Sequence, residues 1–233
     1  MAVLLVLGSK PDPIVPPRGA YADLACANAS GRSAHHLGLP RPAFTVMSSV
    51  LTSGKNASNR LALEALAGLS TRTLYYVPRP MYRNAPVKRL LNFGEVIACR
   101  PRPFERALRA TGYRFDAFIA KPLAYYIDLV RTLCGGDAEV EATLAKKHPS
   151  TGIVAAVVGL AECGYSKVIL SGFSFEISHA YANNPLIQSR GTLASKHTDT
   201  DVAVIRSISA RHGRLLTTER IVAERTGIPL IAA

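Results

Sequence analysis

The chain has 233 residues, is 48% hydrophobic and carries a formal net charge of +12. That apolar content excludes a largely disordered chain, and no apolar stretch approaches the ~18 residues of a membrane span. At this length, one domain is expected.

Short apolar runs and longer amphipathic runs alternate along the chain. Strands are predicted at residues 3–7, 24–27, 44–47, 73–77, 96–99, 167–171 and 229–231. Helices are predicted at residues 59–67, 122–133, 150–163, 200–211 and 218–225. Alternation of this kind predicts a doubly wound, mostly parallel, Rossmann-like α/β sheet whose ligand lies at the carboxyl ends of the strands.

The first apolar run and the cysteines indicate the cellular compartment in which the protein is expected. The first apolar run, residues 2–7, has no basic residue before it and is short, so we interpret it as a strand and not as a signal peptide. The four cysteines, Cys26, Cys99, Cys134 and Cys163, lie far apart in the sequence. Three of them are in apolar or strand-like runs, as expected for buried, reduced thiols. Together these features predict a cytoplasmic protein.

Positive charge is concentrated between residues 79 and 114, a segment that contains nine basic residues and only two acidic ones. Such a segment attracts acidic or phosphorylated partners, including an anionic membrane face, nucleic acid or an acidic glycan. It also contains many prolines and little periodicity, so an insertion or lid is predicted for residues 78–114 of the single domain. A solvated basic surface is the simpler alternative.

Small polar residues follow the predicted strands. Gly8 and Ser9 follow the first strand and could present backbone N–H groups to a nucleotide, although the full GxGxxG fingerprint is absent. Ser48, after the predicted third strand, is a further candidate. A purely structural turn explains Gly8 and Ser9 equally well.

The stretch from His148 to Gly152 contains the strongest signal. Ser150, Thr151 and Gly152 open an apolar helix, and the next strand ends in Ser171 and Gly172. An open helix N-terminus offers unpaired N–H groups and partial positive charge, and so binds carboxylate or phosphate. The sequence predicts an anion-binding site there.

Residues that could move protons follow this stretch. His179 and Tyr181 come after the strand at 167–171, and His197 precedes two carboxylates that could orient its ring. Asp199 and Asp201 spell a DxD metal motif, but they precede an amphipathic run, which favours first-turn helix acids. No metal ligand is therefore predicted.

These motifs resemble those of sialyltransferases. Pro149-Ser150-Thr151-Gly152, the strand ending Ser171-Gly172 and His179-Ala180-Tyr181 are similar to motifs of the animal-type enzymes, and the spacing onward to His197 is similar to the bacterial ones. The resemblance implies a GT-A-variant fold and an inverting, metal-independent transfer of an acidic nonulosonate sugar, such as sialic acid or Kdo, from its CMP donor.

The resemblance also implies roles for individual residues. Asn28 would contact the nucleotide or the donor sugar, and Thr151 and Gly152 would hold the sugar carboxylate or the cytidine. Tyr181 would donate a hydrogen bond to the departing phosphate, and His197 would deprotonate the acceptor hydroxyl. Ser9 and Glu176 depart from the family pattern, which leaves CMP-linked Kdo open as the donor.

The expected partners follow from this reading: a CMP-sugar donor, a glycan or glycolipid acceptor such as lipopolysaccharide, an anionic inner-membrane surface and further copies of the chain. No cofactor is expected besides the CMP-sugar substrate. Two alternatives remain open. One is a basic nucleic-acid-binding or scaffold protein on a degenerate nucleotide-binding fold, and the other is a transferase that holds a metal at Asp199 and Asp201.

Overall fold

A computed structural model describes residues 2–53, 57–79, 85–176 and 194–232 of the chain. Its centre is a seven-stranded sheet in the order β5-β4-β3-β2-β1-β6-β7. All six strand pairings are parallel. The strands are β1 (Val3–Leu7), β2 (Asp23–Ala27), β3 (Phe44–Ser48), β4 (Ser70–Val77), β5 (Arg114–Ala120), β6 (Lys167–Ser171) and β7 (Leu215–Thr217).

Helices connect the strands and cover both faces of the sheet, as parallel pairing requires. They are α1 (Gly31–His36), α2 (Ala57–Ala65), α3 (Pro86–Leu91), α4 (Phe93–Ala98), α5 (Pro101–Ala110), α6 (Leu123–Cys134), α7 (Ala138–Lys146), α8 (Thr151–Ala161), α9 (Thr198–His212) and α10 (Arg220–Thr226). Single 3-10 turns follow β2 at Asn28–Ser30 and β3 at Ser49–Thr52.

Helix α8 lies at the centre of the largest apolar cluster. Every residue from Thr151 to Leu160 is buried, and the helix packs on β1, β2, β3 and β6. Leu4 and Val6 of β1, both fully buried, belong to the same cluster. The long apolar run in α8 is therefore the interior layer of the fold.

The direction of the chain reverses at β1, which sets the position of the ligand cleft. From β1 the chain moves outward through β2, β3 and β4 to β5, and it then returns to add β6 and β7 on the other side of β1. Open α/β sheets bind their ligands at such a switch point, outside the carboxyl ends of the strands. The predicted doubly wound parallel α/β class is confirmed, and its switch point lies between β1 and β6.

Several predicted elements differ from the structure. The strand predicted at 96–99 is wrong, because those residues end α4 and begin the turn after it. The strand predicted at 229–231 is only an isolated bridge from Leu230 to Thr217. Strand β5 and helix α7 were not predicted, because β5 is an edge strand with mostly exposed residues and α7 lies in a charged stretch.

The basic segment between β4 and β5 contains α3, α4 and α5. In α5, Phe104 and Leu108 are fully buried and join the cluster around Met47 and Leu74. This helix is therefore part of the packed body. A lid within residues 78–114 remains a prediction.

The four cysteines have free thiols, and three of them are buried. Within the described ranges, no helix is long and apolar enough to cross a membrane.

Candidate active site

A cleft of about 510 Å³ opens at the switch point. Its walls come from the ends of β1, β2 and β6 and from the first turns of α8 and α9, and they consist of Gly8, Ser9, Ala27, Asn28, Ser150, Thr151, Gly152, Gly172, Phe173, Ser174, Phe175, Glu176, Ser195 and Asp201. A second pocket of about 430 Å³ shares Ser9, Ala27 and Asn28 with it and extends toward Ser48 and Asn59. The two pockets adjoin through these shared residues.

Two glycines let the turns after β1 and β6 touch. The Gly8 N–H donates to the Ser171 carbonyl at 2.7 Å, and the Lys10 N–H donates to the Gly172 carbonyl at 3.0 Å. A Cβ atom on Gly8 would lie 2.4 Å from the Gly172 oxygen, and Gly172 has a φ of +72°. The floor of the cleft therefore requires glycine at both positions.

A buried carboxylate braces these turns. Glu219, 3% exposed, accepts the Gly172 N–H at 2.9 Å and the Ile14 N–H at 3.2 Å. Its other oxygen pairs with the Lys10 ammonium at 2.8 Å. Together these contacts tie the loop after β1 to the loop after β6. Glu219 was not predicted from the sequence.

The first turn of α8 offers hydrogen-bond donors to the cleft. Ser150 is the N-cap, and its hydroxyl accepts the Ile153 N–H at 3.3 Å. The first N–H group to donate within the helix is that of Val154, to the Ser150 carbonyl, so the N–H groups of Thr151 and Gly152 have no intrahelical acceptor. A Cβ on Gly152 would lie 2.7 Å from the Phe173 ring, so the ring packs directly on this turn.

Asn28 lies opposite this helix end, with a positive φ of 51° that asparagine tolerates better than most residues. Its side-chain oxygen accepts the Ser48 N–H at 2.9 Å. Ser30 supports the turn by accepting the Ala27 N–H and donating to the Leu7 carbonyl. Because the Asn28 oxygen is engaged, its amide NH2 is the group available to donate to a ligand.

Asp201 is a buried carboxyl at the cleft wall, 5% exposed. It accepts the Ser150 N–H at 2.7 Å. Burial raises the pKa of Asp201 to about 7, although the Ser150 hydrogen bond and the Arg79 charge act in the opposite direction. Near neutral pH a large share of molecules therefore has this carboxyl uncharged, which reduces its repulsion of an anionic ligand.

Arg79, at the carboxyl end of β4, connects the basic segment to the cleft. It donates to the Pro149 carbonyl at 2.9 Å, one residue before the α8 cap. Burial lowers the pKa of the Arg79 guanidinium to about 10, and the Asp201 charge only partly offsets this. Its Nη1 is buried and has no hydrogen-bond partner among the described residues.

His197 is held beside the same turn. Its Nδ1 lies 2.8 Å from the His148 carbonyl oxygen, and because a carbonyl can only accept, Nδ1 carries the proton and Nε2 keeps its lone pair. Burial lowers the pKa of His197 to about 4, aided by the positive charges of Arg79, Lys147 and Lys196. At neutral pH the ring is an uncharged base.

No protein-family model matches the chain, and no curated protein sequence matches it. Solved structures do. CstII from Campylobacter jejuni in complex with CMP-3FNeuAc is 14% identical, with 100% of this chain and 87% of that chain covered at a TM-score of 0.55. The alpha-2,3-sialyltransferase Cst-I from Campylobacter jejuni is 15% identical, with 99% and 80% covered at 0.54.

A third match is the sialyltransferase CST-II in complex with a trisaccharide acceptor and CMP, 16% identical, with 97% and 85% covered at 0.53. The chain has the sialyltransferase fold. The predicted structural resemblance is thereby confirmed over nearly the whole chain.

Within this sialyltransferase fold, most of the predicted binding residues lie together. The main cleft is lined by Gly8, Ser9, Asn28, Ser150, Thr151, Gly152 and Gly172, and Ser48 lines the adjoining pocket. His197 is two residues from Ser195, which also lines the cleft. His179 and Tyr181 lie outside the described residues.

One prediction about a polar side chain needs correction. Ser171 is fully buried and its hydroxyl donates to the Ile14 carbonyl at 2.7 Å, so it supports the turn and does not line the cleft. As predicted, Asp199 and Asp201 are acids of the first turn of α9, whose N-cap is His197, without a side-chain hydrogen bond. The described part of the chain contains no cluster of three or more metal-ligating residues of the His, Cys, Asp or Glu type.

Proposed function

We propose that the protein is a CMP-sugar glycosyltransferase that moves an acidic nonulosonate sugar to a glycan hydroxyl with inversion and without a metal. One observation carries the proposal: the amide-rich start of α8 and the Asn28 amide line one switch-point cleft, and the neutral His197 lies against the His148 carbonyl, just before that helix. The fold is shared with sialyltransferases that were solved with CMP or a CMP-sugar analogue.

The donor would lie along the two joined pockets. The N–H groups of Thr151 and Gly152 and the positive end of α8 suit the sugar carboxylate or the phosphate. The Asn28 NH2 would donate to the nucleotide or the sugar. Ser9 and Glu176 also line the cleft, and because both depart from the family pattern, CMP-sialic acid and CMP-Kdo are both proposed as donors.

Transfer would use His197 as the general base. Nε2 removes the proton of the acceptor hydroxyl as that oxygen attacks the anomeric carbon from the side opposite CMP, and the anomeric carbon is inverted in one step. Negative charge gathers on the departing phosphate, where pre-aimed donors stabilise it. Tyr181 is proposed as one such donor, with His179 as a further candidate beside it.

The acceptor is proposed to be a surface glycolipid or lipopolysaccharide, reached from the cytoplasmic side of the inner membrane. The charge of +12 supports an acidic or membrane-bound partner. Assembly into a homo-oligomer is part of the same proposal.

The direct test incubates the purified protein with CMP-sialic acid or CMP-Kdo and measures CMP release, with and without EDTA. We expect release with one of the two donors, and an unchanged rate in EDTA, because the amide donors and Tyr181 replace a metal at the phosphate. An absence of CMP binding by calorimetry would contradict the proposal. A rate abolished by EDTA and restored by a divalent ion would instead favour a metal at Asp199 and Asp201.

Asn28 offers a separate test of the nucleotide site. Asn28→Gly keeps the left-handed backbone while it removes the amide donor, so CMP affinity should fall about 3- to 20-fold through loss of a hydrogen bond. Calorimetric titration with CMP measures this. Asn92→Ala, which removes an amide side chain outside both pockets, is the comparison, and an equal or larger loss there would mean that the loss at Asn28 is not specific to the cleft.

A further inference from the structure

The short helices α3 and α4 expose an apolar face. Val87, Leu90 and Leu91 of α3 are 69%, 75% and 77% exposed, and Phe93 at the start of α4 is 55% exposed. Helix α3 contains no buried residue. The other exposed large apolar side chains of the described chain are scattered singly, at Ile14, Leu37, Ile221 and Leu230. Clustering of this kind marks an interaction surface.

The spacing makes α3 amphipathic. Val87, Leu90 and Leu91 are at i, i+3 and i+4 and therefore share one side of the helix. Lys88 and Arg89 project from the other side and are both exposed. We call this surface, Val87, Leu90, Leu91 and Phe93 with Lys88 and Arg89, the α3 face.

The α3 face is connected to the edge of the sheet where the cleft opens. At the end of α4, the Ala98 carbonyl accepts the Thr52 hydroxyl at 3.2 Å, and the Cys99 carbonyl accepts the Tyr76 hydroxyl. Thr52 belongs to the turn after β3 whose Val50 and Leu51 line the second pocket, and Tyr76 is near the end of β4. Helix α4 is thus anchored at the carboxyl edge of the sheet.

Positive charge surrounds the apolar side chains. From residue 85 to 114 the chain has seven basic residues and two acidic ones. Lys88, Arg89, Arg100, Arg102 and Arg106 are exposed, and none of them forms an ion pair with another described residue. Apolar side chains flanked by basic ones are the pattern of a helix that lies in the interface of an anionic bilayer.

We propose that the α3 face docks the protein on an anionic lipid bilayer, with Val87, Leu90, Leu91 and Phe93 inserted below the headgroups and the basic residues on lipid phosphates. The positive charge of the α3 face, together with its apolar side chains, favours an anionic bilayer over other occupants. A second copy of the chain would bring two basic faces together, and nucleic acid would leave four apolar side chains in water. The surface itself is independent of the transfer reaction; only the idea that docking holds the cleft near a lipid-linked acceptor rests on the proposed function.

The test is co-sedimentation of the full chain with vesicles of equal parts phosphatidylglycerol and phosphatidylcholine, without donor. We expect binding that weakens with salt and is absent on phosphatidylcholine alone. Leu90→Glu/Leu91→Glu should reduce binding about tenfold or more, because two inserted side chains are lost and two repelled charges are added.

The matched control is Leu37→Glu, which places the same charge at an exposed leucine (44% exposed) at the end of α1, and it should reduce binding much less. Thermal melting by circular dichroism should be unchanged in both variants, since neither replaces a buried side chain.

Equal binding by the double variant, or no binding by the unaltered chain, would overturn the proposal. So would a dimer in lipid-free solution that the double variant dissociates while vesicle binding stays intact, because the face would then serve self-association. CMP release toward a soluble acceptor should be unchanged in the double variant, so failure of docking and failure of the transferase proposal are read from different measurements.

Discussion

Replacing His197 with glutamine should reduce kcat for sugar transfer by about 10²- to 10⁴-fold while CMP affinity changes little. The reason is that a positioned general base contributes an acceleration of this size, whereas His197 is not among the groups proposed to hold the nucleotide. Steady-state transfer rates and calorimetric CMP titration together measure the two quantities.

The pH profile gives this prediction a sharper form. Burial and the surrounding positive charges lower the pKa of His197 to about 4, so the neutral base persists as pH falls. We expect the acidic limb of kcat/KM, which reports the free enzyme, to lie near pH 4 and not near the ordinary histidine value of ~6.5. Asp201 titrates near pH 7, so the profile should also be recorded in Asp201→Asn, where an inflection near neutrality should disappear.

His212→Gln is the matched control. This histidine is in the last turn of the same helix, α9, and its Nε2 likewise lies 3.0 Å from a backbone carbonyl oxygen, that of Leu133. Each substitution removes one contact between a histidine ring nitrogen and a backbone carbonyl oxygen. A difference in kcat between the two variants therefore comes from where each histidine lies relative to the cleft. Equal rates in the two variants would exclude His197 as the base.

Replacing Gly8 with alanine should damage the cleft itself. The new Cβ would lie 2.4 Å from the Gly172 oxygen, which is backbone and cannot move aside without separating the turns after β1 and β6. Overpacking of this kind costs about 1–3 kcal/mol of unfolding free energy. Because the same shift displaces the turns that line the cleft, CMP affinity should fall along with the free energy of unfolding.

Gly31→Ala provides the comparison for that experiment. Gly31 opens α1 with an ordinary helical φ of −55°, and a Cβ there meets nothing within 4 Å. Alanine should be neutral or slightly stabilising at this position. Denaturant unfolding and CMP titration of both variants measure the free energy of unfolding and the CMP affinity. If Gly8→Ala changed neither quantity, the turns after β1 and β6 would not be in the close contact described here.

The best-predicted part of the fold is the part with long apolar runs. Helix α8 and strand β6 were predicted within about two residues, because an apolar run between a Ser-Thr-Gly start and a Gly turn allows few other readings. The same runs position the first turn of α8, so the anion site could be predicted from sequence.

Short runs were less informative. The segment Val96-Ile97-Ala98-Cys99 satisfies strand and helix patterns alike, and local packing makes it the end of α4. Strand β5 lies at a sheet edge and buries only Phe115, so its short mixed run of charged and apolar residues gives a weak local signal. Its pairing with β4 defines it instead.

The remaining features of the site depend on contacts between distant residues. Asp201 meets the Ser150 N–H from 51 positions away, and Glu219 braces Gly172 across 47. Arg79 is one of nine basic residues in its segment, and only the structure distinguishes it through the Pro149 carbonyl. Such residues have no local signature, since their role comes from tertiary geometry.

The sheet order has a consequence for how the molecule is made. Strand β1 is synthesised more than 150 residues before one of its two neighbours, β6, which pairs Lys167 with Val3. Until then β1 has one side of unpaired backbone groups, the condition that invites mispairing with other chains. The floor of the cleft is therefore completed only after β6 has been synthesised, and a nascent chain that stalls before β6 would lack the cleft and be prone to aggregate.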